Sequence, residues 1–372
     1  MRVMIIAGEP SGDLHGAGVV RELKRLAPGC EIFGIGGDKM QSAGMQLVYH
    51  VRELSIMGFW EVVQHLPLIR SVEKTLEALL TARAPDVLLL IDYPGFNLRF
   101  ARIARRFRIK IVYYISPQVW AWNPGRVKKM NGVIDKMLTV FPFEVEIYKR
   151  EGIDVEFVGH PLLEEIGEQQ SRDEFCKRWS LDQHKNIIGL FPGSRKQEVE
   201  RIFPAMIGAA RLLHRHYGSE TVVGIASTLD PEYVRSFLRD DFPLTLIQNA
   251  THDAMKNSDL ALVTSGTATL ETAYLRTPMV VVYKTSLVTY VIGRLLVRIN
   301  NIGLVNIVAG KTIVPEILQY SVSPQRLAEA ASAILDSDEA RTKMSENLAE
   351  VKNNLGTAGA SLRVAETVLS MA

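Results

Sequence analysis

The acids and glycines that could do chemistry in this chain stand just after short apolar runs. Asp92 follows Val87–Ile91 in the segment Leu90-Ile91-Asp92-Tyr93-Pro94-Gly95-Phe96-Asn97. A carboxylate at the mouth of a buried strand can act as general base on an incoming hydroxyl, provided the cleft is partly desolvated. The same placement suits an acid that caps the next turn, and spacing alone does not separate the two. A glycine-rich turn follows Val3–Ala7, running Ala7-Gly8-Glu9-Pro10-Ser11-Gly12-Asp13-Leu14-His15-Gly16. Its glycines permit close backbone approach, and the helix behind it offers unpaired N–H groups to an anion. No Lys-Ser/Thr pair follows the second glycine, so the turn is not a P-loop. Neither it nor Gly34-Ile35-Gly36-Gly37 matches G-x-G-x-x-G. A nicotinamide dehydrogenase therefore loses its main support.

Two further loops lie in the second half. In Leu190-Phe191-Pro192-Gly193-Ser194-Arg195, Gly193 and Ser194 can present donors at a helix start. Arg195 adds a guanidinium able to grip a diphosphate with two hydrogen bonds. In Val263-Thr264-Ser265-Gly266-Thr267-Ala268-Thr269-Leu270-Glu271, Ser265, Gly266 and Thr267 surround a second helix start. Glu271 falls about one turn into that helix, where it can accept both hydroxyls of a ribose. Each loop alone could be an ordinary capped turn. Together they favour a nucleotide in this half. Weaker signals are Trp120, Trp122 and His160, each equally at home in packing. Metal-ligand spacing is absent, and Asp336-Ser337-Asp338 lies between helices rather than after a strand.

The elements that must carry these loops are short β-branched runs alternating with longer helical patterns. Val3–Ala7, Ile32–Ile35, Val87–Ile91, Ile111–Ile115 and Met137–Phe141 lack polar alternation, as strands covered on both faces do. The pattern restarts with Ile187–Phe191, Thr221–Ala226, Leu244–Ile247, Leu260–Val263 and Met279–Tyr283. An α/β chain of two parallel units is the economical reading. The expected domains are residues 1–165 and 170–345, the first completed by a helix in 350–372. Two units also suit 372 residues. A composition 47% hydrophobic and 23% charged excludes a disordered binder, and two distant cysteines exclude a disulfide scaffold or zinc cluster. No signal peptide or spanning segment is expected.

The net charge of +2 conceals a local excess. Between Arg99 and Met130 stand nine Lys/Arg and no acid, a solvated face or one that meets an anionic membrane. Residues 56–80 place Phe59, Trp60, Val62, Val63, Leu66 and Ile69, then Val72, Leu76, Leu79 and Leu80, at helical spacing. That stripe is core or an interfacial surface, as is Tyr290–Ile299 with Arg294 and Arg298.

Taken together, the loops resemble lipid-A-disaccharide synthase, a family of inverting glycosyltransferases of the GT-B fold. The resemblance rests on the segments from Ala7, Ile91, Leu190 and Ser265 quoted above. It rests also on Tyr114-Ile115-Ser116-Pro117-Gln118-Val119-Trp120-Ala121-Trp122, Phe157-Val158-Gly159-His160-Pro161 and Leu304-Val305-Asn306-Ile307-Val308-Ala309-Gly310. The resemblance implies two Rossmann-like αβα domains facing across a cleft. It implies transfer of 2,3-diacylglucosamine from UDP-diacylglucosamine to diacylglucosamine 1-phosphate, giving a β-1,6-linked disaccharide 1-phosphate and UDP. Asp92 would be the catalytic carboxylate, with Glu9 and Asn306 as polar groups of the active site. Gly193, Ser194, Arg195, Ser265, Gly266, Thr267 and Glu271 would bind UDP. Phe59, Trp60, Val62, Val63, Leu66 and Ile69 would form the acceptor and membrane surface. No cofactor, metal or nucleic acid is implied; a homodimer is left open. The expected location is cytoplasmic, peripheral on the cytoplasmic face of the inner membrane. The competing readings are a UDP-sugar 2-epimerase and a non-catalytic lipid-binding protein.

Overall fold

The computed structural model describes residues 1–54, 66–119, 124–238, 242–286, 290 and 301–372. The chain divides into two compact units, Met1–Glu164 with Leu355–Ala372, and Glu165–Asn354.

The first unit is built on β1 (Arg2–Ala7), β2 (Glu31–Gly36), β3 (Gln46–His50), β4 (Val87–Ile91), β5 (Lys110–Tyr114), β6 (Lys136–Thr139) and β7 (Val155–Phe157). Their order is β3-β2-β1-β4-β5-β6-β7, and all pairings are parallel. The helices between them include α1 (Pro10–Leu26), α2 (Asp38–Ser42), α3 (Leu66–Ala82), α4 (Pro94–Arg105) and α5 (Pro142–Lys149). The strand order reverses between β1 and β4. At such a switch point the following turns diverge and leave a crevice beyond the carboxyl ends. Ala7 lies opposite Ile91 in the register, so Glu9 and Asp92 emerge from neighbouring strands at the same level.

The second unit repeats the plan with β8 (Ile187–Phe191), β9 (Glu220–Ile225), β10 (Thr245–Gln248), β11 (Leu260–Thr264), β12 (Met279–Tyr283) and β13 (Glu316–Leu318). The order is β10-β9-β8-β11-β12-β13, again parallel throughout. Its reversal falls between β8 and β11, where Phe191 lies opposite Val263. The loops after these two strands carry Gly193–Arg195 and Ser265–Thr267. The helices that follow are α6 (Lys196–Tyr217) and α8 (Thr267–Tyr274), with α7 (Thr251–Asn257) before β11 and α9 (Leu304–Ala309) after β12. The expectation of two parallel, doubly wound α/β units is met.

Burial assigns part of the long apolar stretch. On α3, Val72, Leu76 and Leu80 are buried in the core of the first unit, and Leu68, Ile69 and Leu79 pack against it. Ile69, expected on the acceptor and membrane surface, is half-buried at the edge of that core. Phe59, Trp60, Val62, Val63 and the Leu66 side chain lie outside the described residues, as do Trp120, Trp122 and residues 291–299. The basic stretch is also less bare than the linear sequence suggests. Arg99 pairs with Glu73, Arg106 with Glu77 at 2.8 Å, and Arg105 with Asp135 at 2.8 Å. The acids come from α3 and the turn before β6, elements distant in sequence. Among the described residues no helix is long and apolar enough to cross a membrane.

Candidate active site

At the first switch point the backbone is tightly fitted. Glu9 caps α1 in an extended conformation, with Pro10 following at the first helical position, where a missing N–H costs nothing. Gly8 has no alternative: a Cβ there would stand 2.2 Å from the Tyr93 ring. Asp13, also in this turn, is buried and accepts from the N–H groups of Gly37 at 2.7 Å and Met40 at 3.0 Å. It therefore caps α2 rather than facing a ligand.

Asp92 is half-buried just beyond β4. Burial lifts its pKa to about 6, the nearby Glu9 carboxylate adds to the rise, and the Tyr93 N–H and His15 oppose it. Withdrawing water penalises the charged form, and a like charge adds to that penalty. A carboxylate tuned close to neutrality can take a proton in one step and release it in the next. Asp92 and Glu9 are thus brought together, as their strand positions imply. His160 is elsewhere engaged. Its ring lies 5.3 Å from that of Phe141, and Nδ1 accepts from the Leu162 N–H at 3.2 Å. Burial pushes its pKa down to about 3, with His15 adding to the fall.

At the second switch point the two expected loops touch. Gly193 holds φ +111°, and a Cβ on it would meet Thr264 Cγ2 at 3.1 Å and Glu198 Oε2 at 2.3 Å. Only glycine fits there. Glu198, which sequence reasoning passed over, accepts from the N–H groups of Ser194 at 3.3 Å and Arg195 at 3.4 Å, and from the Arg195 guanidinium at 3.3 Å. An acid three residues beyond the helix cap is the spacing that could have revealed it. The Arg195 side chain is otherwise exposed. Gly266 opens α8, and Thr269 folds its hydroxyl back onto the Gly266 carbonyl at 2.8 Å. Thr267 is exposed at the first position of that helix. Glu271 is half-buried and faces His252 of α7, Oε2 to Nε2 3.6 Å. That carboxylate raises the His252 pKa.

Asn306 is placed differently from the expected catalytic group. It is wholly buried, and its amide is spent on the protein itself. Nδ2 donates to the Val314 carbonyl at 2.9 Å and Glu316 Oε1 at 2.8 Å; Oδ1 accepts from the N–H groups of Ile313 and Val314. Glu316 in turn accepts from the N–H groups of Ile302 at 2.9 Å and Gly303 at 3.0 Å. The Ser265 hydroxyl donates to the Ile302 carbonyl at 3.1 Å. Asn306 therefore reaches the Ser265 loop at one remove, by fixing the backbone that Ser265 grips. Among the described residues no group of three or more His, Cys, Asp or Glu side chains could hold a metal ion.

A family model described as lipid-A-disaccharide synthetase matches residues 3–365. The chain is 43% identical over 372 residues to a lipid-A-disaccharide synthase of Geobacter sulfurreducens, covering 100% of this chain and 97% of that protein. Among solved structures it is similar to a UDP-GlcNAc 2-epimerase from Neisseria meningitidis bound to UDP-GlcNAc, with a TM-score of 0.66, 14% identity and 100% of each chain covered. It is likewise similar to CalG4, the calicheamicin glycosyltransferase, with a TM-score of 0.65, 15% identity, and 100% of this chain and 98% of that one covered. At these identities the two solved structures speak for the fold alone.

Proposed function

The chain belongs to the lipid-A-disaccharide synthase family and is a glycosyltransferase, and from that premise we propose that it transfers 2,3-diacylglucosamine from its UDP derivative to the 6-hydroxyl of 2,3-diacylglucosamine 1-phosphate. The products are the β-1,6-linked disaccharide 1-phosphate and UDP. The observation that carries the reading is Asp92: a half-buried carboxylate beside Glu9 at the β1/β4 reversal, with a pKa raised to about 6.

In this mechanism Asp92 takes the proton of the acceptor hydroxyl as that oxygen attacks the anomeric carbon from the face opposite UDP. Glu9 keeps the carboxylate basic enough to accept the proton. Negative charge grows on the departing diphosphate as the sugar becomes oxocarbenium-like. Arg195 and the helix starts at Ser194–Arg195 and Gly266–Thr267 offset that charge. Glu271 accepts from the ribose hydroxyls. Ser265 shapes the loop, and Asn306 holds the segment that Ser265 grips. The first unit is the acceptor and membrane-facing unit, and the second binds the UDP-sugar.

The substrates govern where the protein works. Each buried CH₂ of an acyl chain is worth about 0.8 kcal/mol, so these lipids stay at a bilayer. The exposed Arg102, Arg108, Lys110, Lys128 and Lys129 would each add up to about 1 kcal/mol near an anionic surface. The proposed location is the cytoplasmic face of the membrane, held peripherally. A UDP-sugar 2-epimerase is not favoured, since its likeness to this chain is one of fold. Acceptor-dependent release of UDP from UDP-diacylglucosamine tests the proposal. The wild-type chain should release UDP only when diacylglucosamine 1-phosphate is present, and Asp92→Ala should lose about two to four decades of kcat, the range expected for loss of a general base. Equal release without acceptor, or an active Asp92→Ala variant, would sink it.

A further inference from the structure

Asp92 and Tyr93 are consecutive non-glycine residues with φ of +46° and +47°. The left-handed region costs an L-residue about 1–2 kcal/mol, and such strain persists only where the surroundings over-determine it. Here the determinants converge on one atom. The Asp92 carbonyl oxygen accepts from Tyr113 Oη at 2.6 Å and from Asn97 Nδ2 at 2.7 Å. Both donors are wholly buried, Tyr113 on β5 and Asn97 on α4. Asn97 Nδ2 also reaches the Ile91 carbonyl at 3.2 Å and the Ile6 carbonyl at 3.4 Å. It thereby ties together the carboxyl ends of β4 and β1, the two strands that flank the reversal.

The Asp92 carbonyl and the Tyr93 N–H are the two ends of one peptide unit, and that N–H lowers the pKa of the Asp92 carboxylate against the larger effect of burial. Two strong donors on the carbonyl polarise the peptide and make its N–H a better donor in turn. A phenylalanine at 113 would fill the same core space without doing this. The other titratable groups facing the carboxylate are Glu9 from the turn before α1 and His15 from α1.

We propose that Tyr113 and Asn97 are positioning residues for the transfer, clamping the Asp92–Tyr93 peptide in its strained conformation so that the Asp92 carboxylate is presented in a fixed orientation. The inference rests on the reading of Asp92 as the base. Tyr113→Phe removes a single oxygen, and Asn97→Leu removes the second donor while keeping the branched four-atom side-chain skeleton. Rates are measured across pH 5–9 with donor and acceptor varied, alongside UDP affinity by calorimetry and a thermal melt. Tyr113→Phe should lower kcat at least ten-fold, leave donor KM and UDP affinity within two-fold, and move the acidic limb of kcat/KM to higher pH. Asn97→Leu should do the same more strongly; if it fails to fold, Tyr113→Phe alone decides. A Tyr113→Phe variant with wild-type kcat and an unmoved acidic limb overturns the inference. An Asp92→Asn arm separates the failures. If Asp92→Asn turns over normally, the base assignment falls; if it is inactive while Tyr113→Phe is normal, only the positioning inference falls.

Discussion

The Asp92 carboxyl is held where ionising it costs the fold free energy. Its pKa rises from 3.8 to about 6, so between those values the folded chain binds the proton more tightly than the unfolded chain does. Stability therefore falls as pH rises through about 4 to 6, and the whole cost is present at neutral pH. At about 1.4 kcal/mol per unit, reduced by the solvent that reaches a half-buried side chain, the cost is about 1–3 kcal/mol. Asp92→Asn should thus be more stable than wild type by that amount in urea unfolding at pH 7.5, while losing activity. The advantage should shrink as pH falls through about 6 to 4 and vanish at about pH 3, where the Asp92 carboxyl is protonated in the folded and the unfolded chain alike. Equal stabilities at pH 7.5 would show that the site carries no such burden. Asp92 was legible because a carboxylate follows an apolar run that can only be a buried strand. Tyr113, Asn97, Glu316 and His252 were not. Each acts on a partner that only the fold delivers, as His252 reaches Glu271 because α7 and α8 lie side by side.

Elements were legible to the degree that they are buried. β1, β4, β8 and β11 run in the centres of their sheets and read as unbroken apolar segments. β3, β7 and β13 are edge strands with half-buried or mixed faces, and their short polar-containing sequences gave no such signal. The same reasoning divides the stretch that ends in α3. Its stripe at Val72, Leu76 and Leu80 has the four-residue spacing of either a core face or a membrane face, and periodicity cannot choose between them. Burial does, for the described turns. Leu76→Ala should cost about 2–5 kcal/mol, as cavity formation in a packed core does, and leave binding to anionic vesicles unchanged. Ile69→Ser, at the rim of that core, should cost less than Leu76→Ala. Denaturant titration with vesicle co-sedimentation reads both. Loss of vesicle binding on Leu76→Ala without loss of stability would return the stripe to the lipid surface.

At the scale of the whole molecule, the first unit is discontinuous in sequence, and its closing helix supports the site from behind. Ala360–Ser370 packs on α1, with Ala360, Val364, Ala365 and Val368 buried. The fit is close: a Cβ on Gly18 of α1 would stand 2.3 Å from Ser361 Oγ. Glu164 accepts from the Ser361 N–H at 2.8 Å, and Arg363 Nε donates to the Val158 carbonyl at 2.8 Å. These bonds fasten the return of the chain at the point where it leaves the first unit. Since α1 begins at the turn carrying Glu9, loosening its far side should reach the acceptor chemistry without touching the nucleotide loops. Val364→Ala with Val368→Ala removes two methyl pairs from this contact and should cost about 2–4 kcal/mol in the first unit. In thermal unfolding the double variant should show an earlier first transition. Saturating UDP should still raise a later transition, because binding to the native second unit stabilises that unit by mass action. Turnover should fall at temperatures between the two transitions while UDP affinity at 25 °C stays within two-fold of wild type. A parallel loss of UDP affinity would show that the closing helix also sustains the nucleotide loops, contrary to the division of labour proposed for the two units.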